Sequence, residues 1–240
     1  MPRPQVLRHW AGRGAAALYA SDTEHFALLL ERCSPGTVLS TAGGGARKRP
    51  WRRAPRWFIG CGARSPHGDV LESITDVAEK WCLEAEERYR EFRPSFDRAL
   101  VGKGLGLLRS LPLSATRNVV VHGDFNPGNI VRANREPWLA IDAKPTVGDP
   151  GIDPEPLAAQ VDRPFARSNP AAVLRQRYAL VADIVGEPAE RLTAYGCLAL
   201  TSIPRTTTLV RTVGSVHADR GPPAEHRQTL AGLHGRVRLP

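Results

Sequence analysis

Residues 5 to 10 and 15 to 20 are short apolar runs separated by Ala11-Gly12-Arg13-Gly14, and Asp22-Thr23-Glu24 interrupts the chain again before Phe26 to Leu30. Runs of this length between turn residues predict an antiparallel meander of about three strands. From Asp69 the period lengthens. Val70, Leu71, Ile74, Val77, Ala78, Trp81, Cys82 and Ala85 recur at three- and four-residue steps, with Glu and Arg filling the other face. That spacing predicts an amphipathic helix running to about Phe92. Pro94 stops it, and Ser95 or Asp97 starts a second helix with Leu100, Val101, Leu105 and Leu108 on its apolar face. Val119, Val120 and Val121 form a β-branched run entering His122-Gly123-Asp124. Ile130 and Val131 follow, then a turn at Ala133 to Glu136, then Trp138 to Ile141 running into Asp142. Two short strands thus each deliver an acidic residue to one end. Residues 171 to 185 and 188 to 200 read as helices. The fold class is α+β: a small β part, then a mainly helical part with a central β loop.

Charge is unevenly spread along this pattern. The chain has 240 residues and a net charge of +9, with Lys plus Arg at 33 against 24 acids. Taken whole, that points to nucleic acid or an anionic surface. Residues 41 to 66, however, hold Arg47, Lys48, Arg49, Arg52, Arg53, Arg56 and Arg64 and no acid, and residues 202 to 240 carry +4. The remainder is slightly acidic, at −2. The basic segment at 41–66 reads as a solvated, atypical insert rich in Gly, Pro and Arg, or else as a nucleic-acid arm with Trp51, Trp57 and Phe58 for stacking. A stretch translated out of its ancestral frame would look the same. No apolar run is long enough for a transmembrane helix, and Met1-Pro2-Arg3-Pro4 does not open a signal peptide. Cys33, Cys61, Cys82 and Cys197 form no C-x-x-C pair, as suits reduced cytoplasmic thiols.

The chemistry is concentrated between Val119 and Asp153. Its core is H-G-D-x-x-x-x-N at His122, Gly123, Asp124 and Asn129, with Asp142 thirteen residues after Asn129 at the end of an apolar strand. Phosphoryl transfer to a hydroxyl requires a carboxylate to accept the hydroxyl proton and hard oxygen ligands to hold Mg²⁺ on the phosphates. Asp124 fits the base, and Asn129 with Asp142 fit the metal pair. His122 reads as a packing and hydrogen-bonding strut. Asp149 and Asp153 either cap the helix near 153–160 or face a cationic substrate, and Lys144 reads as a local salt-bridge partner of this acidic loop.

This stretch resembles the catalytic loop of protein-kinase-like small-molecule kinases, with Gly123 where protein kinases carry Arg. More narrowly, H-G-D-F-N-P-G-N-I followed by W-L-A-I-D-A-K-P-T-V-G-D-P-G-I-D resembles the streptomycin-type aminoglycoside and hydroxyurea phosphotransferases. So do A-L-L-L-E-R at 27 to 32 and the helix L-E-S-I-T-D-V-A-E-K-W-C. The resemblance covers about 6–40 and 67–200. It implies a protein-kinase-like fold in which 1–40 are a partial β N-lobe and hinge, and 67–201 a helical C-lobe with the catalytic loop. It implies ATP and Mg²⁺ as cofactors, Asp124 as base, and Asn129 and Asp142 as metal ligands. It also implies that the backbone around Glu31, Arg32 and Cys33 receives adenine, and that Asp149 and Asp153 are substrate-facing candidates. The implied partner is a small hydroxylated or cationic molecule such as streptomycin or hydroxyurea, handled by a cytoplasmic monomer that neither enters a membrane nor grips nucleic acid.

Two departures accompany the resemblance. Members of this type carry a phosphate-covering loop and a strand lysine ahead of the first strand seen here, whereas the four lysines of this chain are Lys48, Lys80, Lys103 and Lys144. Segments 41–66 and 202–240 do not follow the family pattern, although Arg211 to Leu233 could form a last helix. The expectation is an N-terminally truncated member with an intact base and metal half and impaired turnover. An inactive remnant and a basic nucleic-acid-binding protein are the alternatives.

Overall fold

In the structure, a computed structural model that describes residues 3–42, 71–93 and 97–201, the first apolar run is a helix. Helix α1 spans Arg3–Trp10. Pro4 sits in its first turn, where a missing N–H costs nothing, and Val6 and Trp10, four residues apart, are buried on one face. The expected three-stranded meander is therefore a two-stranded hairpin: β1 (Leu18–Asp22) pairs antiparallel with β2 (Ala27–Leu30). Gly12 and Gly14 turn the chain between α1 and β1 with left-handed φ of 75° and 70°. Apart from Thr41 and Ala42, the basic segment 41–66 lies outside the described residues, as do the segment 202–240 and its expected helix.

Helix α2 is Ile74–Phe92, beginning five residues later than the apolar spacing predicts. Ser73 caps it, its side chain accepting from the Thr75 N–H. Leu71 to Ser73 are not part of the helix. Val147 N–H donates to the Glu72 carbonyl at 3.0 Å, and Ser73 bridges Val147 in parallel. Leu71 is buried against the core, which is why it falls on the apolar pattern. Helix α3, Arg98–Leu113, is capped by Asp97 through the Ala99 N–H. Its core face is Val101, Gly104, Leu107 and Leu111, while the expected Leu105 and Leu108 are only half-buried.

Helices α4 (Pro154–Gln160), α5 (Pro170–Val185) and α6 (Ala189–Thr201) complete the helical part. α6 packs on α3, α4 and α5. Leu157, Leu174, Tyr178, Val181, Leu192 and Tyr195 fill the space between them. No helix among the described residues is long and apolar enough to cross a membrane.

Between α3 and α4 lie two small sheets. β3 (Val119–Val121) pairs antiparallel with β6 (Thr146–Gly148), and β4 (Ile130–Val131) with β5 (Leu139–Ala140). The β4–β5 hairpin is flanked on both sides by segments from far earlier in the chain. Leu39 N–H donates to the Ile130 carbonyl at 2.8 Å and Arg132 N–H to the Thr37 carbonyl at 2.9 Å. On the other edge, Ala16 N–H donates to the Ala140 carbonyl and Ala140 N–H to the Gly14 carbonyl, both at 2.9 Å. The hairpin that carries the candidate metal ligands is thereby stitched to the first forty residues.

Candidate active site

All three valines of β3 are buried, and they drive the chain into His122-Gly123-Asp124. His122 is 2% exposed and lies between two aromatic rings. Trp10 of α1 stacks on it at 6.2 Å between centroids, and Phe125 meets it edge-on at 5.5 Å. Its Nε2 donates to the Ile141 carbonyl at 3.0 Å, and its Nδ1 faces the Asp124 N–H at 3.3 Å. Burial pushes the imidazole down to about 4, so it is neutral at ordinary pH. Its bonds tie the His122–Asp124 loop to the strand leading to Asp142.

Gly123 has φ +75°. A Cβ there would lie well inside contact distance of the Lys144 carbonyl oxygen and 3.0 Å from its carbon. Lys144 N–H in turn donates to the His122 carbonyl at 2.8 Å. Only glycine permits this approach of the two loops. Lys144 then extends its side chain back onto Asp124, its Nζ paired with Oδ2. Asn126 donates from Nδ2 to Asp124 Oδ1 at 2.9 Å. Burial of Asp124 works to raise its pKa, but the Lys144 and Asn126 hydrogen bonds outweigh it and hold the carboxyl below its usual value. Asp124 is thus ionised and fixed at both oxygens.

Asn126 has a second task. Its Oδ1 accepts from the Gly128 N–H at 2.8 Å, opening a single 3₁₀ turn, Pro127–Asn129. The turn brings Asn129 back to Asp124, its Nδ2 donating to the Asp124 carbonyl at 2.9 Å. Ile141 N–H donates to the Asn129 carbonyl at 2.9 Å, so Asn129, entering β4, and Asp142, following β5, lie at the same end of the hairpin. Asp142 adopts a left-handed φ of 53°, the kind of backbone outlier that concentrates at functional positions. Among the described residues no group of three or more His, Cys, Asp and Glu forms a metal cage. One amide oxygen and one carboxylate nevertheless fit Mg²⁺, which takes few protein ligands and keeps water and phosphate oxygens for the rest.

Glu31, Arg32 and Cys33 follow β2 directly. Glu31 N–H donates to the Ala17 carbonyl at 2.8 Å. Its carboxylate takes the Ala17 N–H at 3.1 Å and the Arg135 guanidinium at 2.7 Å. The Arg135 hydrogen bond holds it below the usual carboxylate range. Arg135 also donates to the Ala15 carbonyl at 3.0 Å. Arg32 is exposed, and Cys33 packs against Val131, Ala133 and Leu139 of the hairpin. The segment expected to meet adenine therefore rests on the element that carries Asn129 and Asp142.

Asp149 and Asp153 both turn inward. Asp149 is fully buried. Its Oδ1 accepts from the Gly151 N–H at 2.8 Å, and its Oδ2 takes the Tyr195 hydroxyl at 2.7 Å and the Arg191 guanidinium. Asp153, 5% exposed, accepts from the backbone N–H of His122 at 2.6 Å and Gly123 at 2.9 Å. It precedes α4 without capping it through its side chain. Asp149 caps the short 3₁₀ turn Pro150–Ile152. The acidic loop is an internal brace for the His122–Asp124 loop. Trp10, Asn126, Arg135 and Arg191 complete that brace. Of these only Asn126, inside the N-P-G turn, carries a local sequence signal.

This arrangement, helices packed behind the His122–Asp124 loop and the β4–β5 hairpin, is a protein-kinase-like fold. The structure superposes on the choline kinase LicA from Streptococcus pneumoniae with a TM-score of 0.59 at 13% identity, covering 97% of this chain and 79% of that one. It superposes on an aminoglycoside phosphotransferase from Streptomyces rimosus, solved with ADP and streptomycin, with a TM-score of 0.55 at 15% identity, covering 82% and 79%. By sequence, the chain belongs to the aminoglycoside/hydroxyurea antibiotic resistance kinase family, whose model matches residues 3–203. It is 29% identical over 186 residues to streptomycin 6-kinase from Streptomyces glaucescens, 75% of this chain and 58% of that protein. It is 31% identical over 197 residues to hydroxyurea phosphotransferase from Kitasatospora aureofaciens, 80% of this chain and 54% of that protein. The chain thus spans between about half and three fifths of the length of the curated relatives it matches.

Proposed function

We propose that this chain carries the base and metal site of an ATP- and Mg²⁺-dependent phosphotransferase acting on a hydroxyl of a small antibiotic-like molecule, of the streptomycin or hydroxyurea class. The observation that carries the reading is the placement of Asn129 against Asp124, through its side-chain hydrogen bond, and against Ile141, the residue before Asp142. Family membership narrows the acceptor class.

In this reading Asp124 accepts the proton of the attacking hydroxyl. Asn126 orients its carboxylate, and the uncharged His122 holds the loop without exchanging protons. Asn129 and Asp142 hold Mg²⁺, which supplies charge neutralisation on the phosphates. The backbone of Glu31 to Cys33 receives adenine. The protein works in the cytoplasm as a monomer.

The test is ATP consumption with Mg²⁺ and streptomycin or hydroxyurea, with the product followed by phosphorus NMR. The expected result is acceptor-dependent turnover that Asp124→Ala lowers at least a hundredfold, in line with the usual contribution of a positioned base, about 10²–10⁴. Turnover that survives Asp124→Ala overturns the assignment of the base. Turnover by neither acceptor, with Mg²⁺-dependent nucleotide binding retained, makes the chain a nucleotide-binding remnant.

A further inference from the structure

Lys144 stands in a position that neither the base nor the metal pair explains. Its backbone is locked against the base loop by the Lys144 N–H to His122 carbonyl bond and by the close approach of its own carbonyl to Gly123. Its side chain is 56% exposed, yet its Nζ lies on Oδ2 of Asp124. The other oxygen of Asp124 is taken by Asn126. With a donor on each oxygen, one of them a cation, the carboxylate is a poor acceptor for an incoming hydroxyl proton. Asn126 is held in place by its second bond, to Gly128. Lys144 is the donor that is free to swing. It is also two residues beyond Asp142, so a phosphate whose Mg²⁺ Asn129 and Asp142 would hold lies near its four-carbon stem.

We propose that Lys144 is an exchangeable cap on the base. In the free protein it pairs with Asp124; when a nucleoside triphosphate binds, its ammonium moves to the terminal phosphoryl group and exposes Oδ2. The acceptor hydroxyl then gives its proton to Oδ2 as its oxygen bonds to the γ-phosphorus. The bond from that phosphorus to the β–γ bridging oxygen breaks, and its electron pair leaves with the nucleoside diphosphate. Lys144 neutralises charge on the group in transit and keeps the base unavailable to water until the triphosphate has arrived. This inference rests on the phosphotransferase reading of the site.

The test uses the full chain and two probes, Mg·ATP and Mg·ADP, titrated calorimetrically into wild type, Lys144→Met and Lys144→Arg. Lys144→Met is expected to weaken Mg·ATP binding about tenfold, the effect of losing one charged contact, while Mg·ADP binding is unchanged. Lys144→Arg should recover most of the loss. The four lysines also allow a structural readout. After reductive ¹³C-methylation, the Lys144 signal, identified by its absence in Lys144→Met, should shift with Mg·ATP and stay in place with Mg·ADP. Equal losses for both nucleotides, or no loss for either, with wild type binding normally, overturn the exchange while leaving the phosphotransferase reading intact. Failure of wild type to bind either nucleotide overturns both.

Discussion

Gly123→Ala isolates the contact on which the base loop depends. The substitution forces an alanine into a left-handed φ of +75°, which costs about 1–2 kcal/mol. It also drives a methyl group into the Lys144 carbonyl, which has to retreat. Retreat stretches the 2.8 Å bond from Lys144 N–H to the His122 carbonyl and the seat of the Lys144 side chain on Asp124, about 1–2 kcal/mol more. The sum is about 3 kcal/mol, or a fall of about 6–12 °C in melting temperature for a domain of this size. Thermal melts followed by circular dichroism measure it. Gly102→Ala is the internal control. Gly102 lies within α3, has nothing within 4 Å of where the added methyl group would sit, and should gain about 0.5–1 kcal/mol from helix propensity. A Gly123→Ala protein that melts within about 2 °C of wild type would refute the argument that the two loops can meet only at a glycine.

Three further outcomes follow from the same bonds. Burial raises Asp153 to about 6, so its protonated form is favoured in the native state and its contribution declines as pH rises from about 3.8 to 6. Burial lowers His122 to about 4, so its protonation removes stability as pH falls from 6.5 to 4. The two oppose each other at about 3 kcal/mol apiece. Asp153→Asn should therefore lose about 3 kcal/mol more than wild type between about pH 6.5 and 4 in urea denaturation, and parallel profiles would contradict this. Arg191→Leu strands the buried Asp149 carboxylate and should cost about 3–5 kcal/mol, part of which Asp149→Asn restores in the double variant, as read from melting temperatures. Asp142→Gly relieves a left-handed φ of 53° and should melt no lower than wild type, with a gain of up to about 1 kcal/mol. Calorimetry should at the same time show that Mg²⁺ no longer strengthens its nucleotide binding.

What can be read from the chain divides by distance along it. The H-G-D-x-x-x-x-N spacing and Asp142 are legible because a turn and two adjacent strands bring them together within about twenty residues. Lys144 is legible as a local ion-pair partner, and its partner is Asp124. α1 reads wrongly as a strand because six residues between turns fit a strand and a helix equally well, and the i, i+4 pair Val6 and Trp10 becomes decisive only once both are seen buried. β6 escapes the pattern because a three-residue strand has no period, and its partner β3 lies some twenty-five residues earlier. The inward turn of Asp149 depends on Arg191 and Tyr195, more than forty residues later, and nothing near Asp149 announces them. An acidic loop beside a resemblance to aminoglycoside kinases reads as a candidate substrate surface until those partners are visible.

The stitching of the β4–β5 hairpin bears on the order of assembly during synthesis. Gly14, Ala16, Thr37 and Leu39 leave the ribosome about a hundred residues ahead of the strands they bind. At about 5–20 residues per second they wait on the order of 5–20 s with their hydrogen-bonding groups unpaired. Closing loops of this length adds an entropic cost that grows only slowly with length but falls on a hairpin of two-residue strands. The helices, built from local contacts, need no such wait. The segment from Gly14 to Leu39 therefore lacks these backbone partners, and stays open to proteases and chaperones, until residues 130–140 have been made.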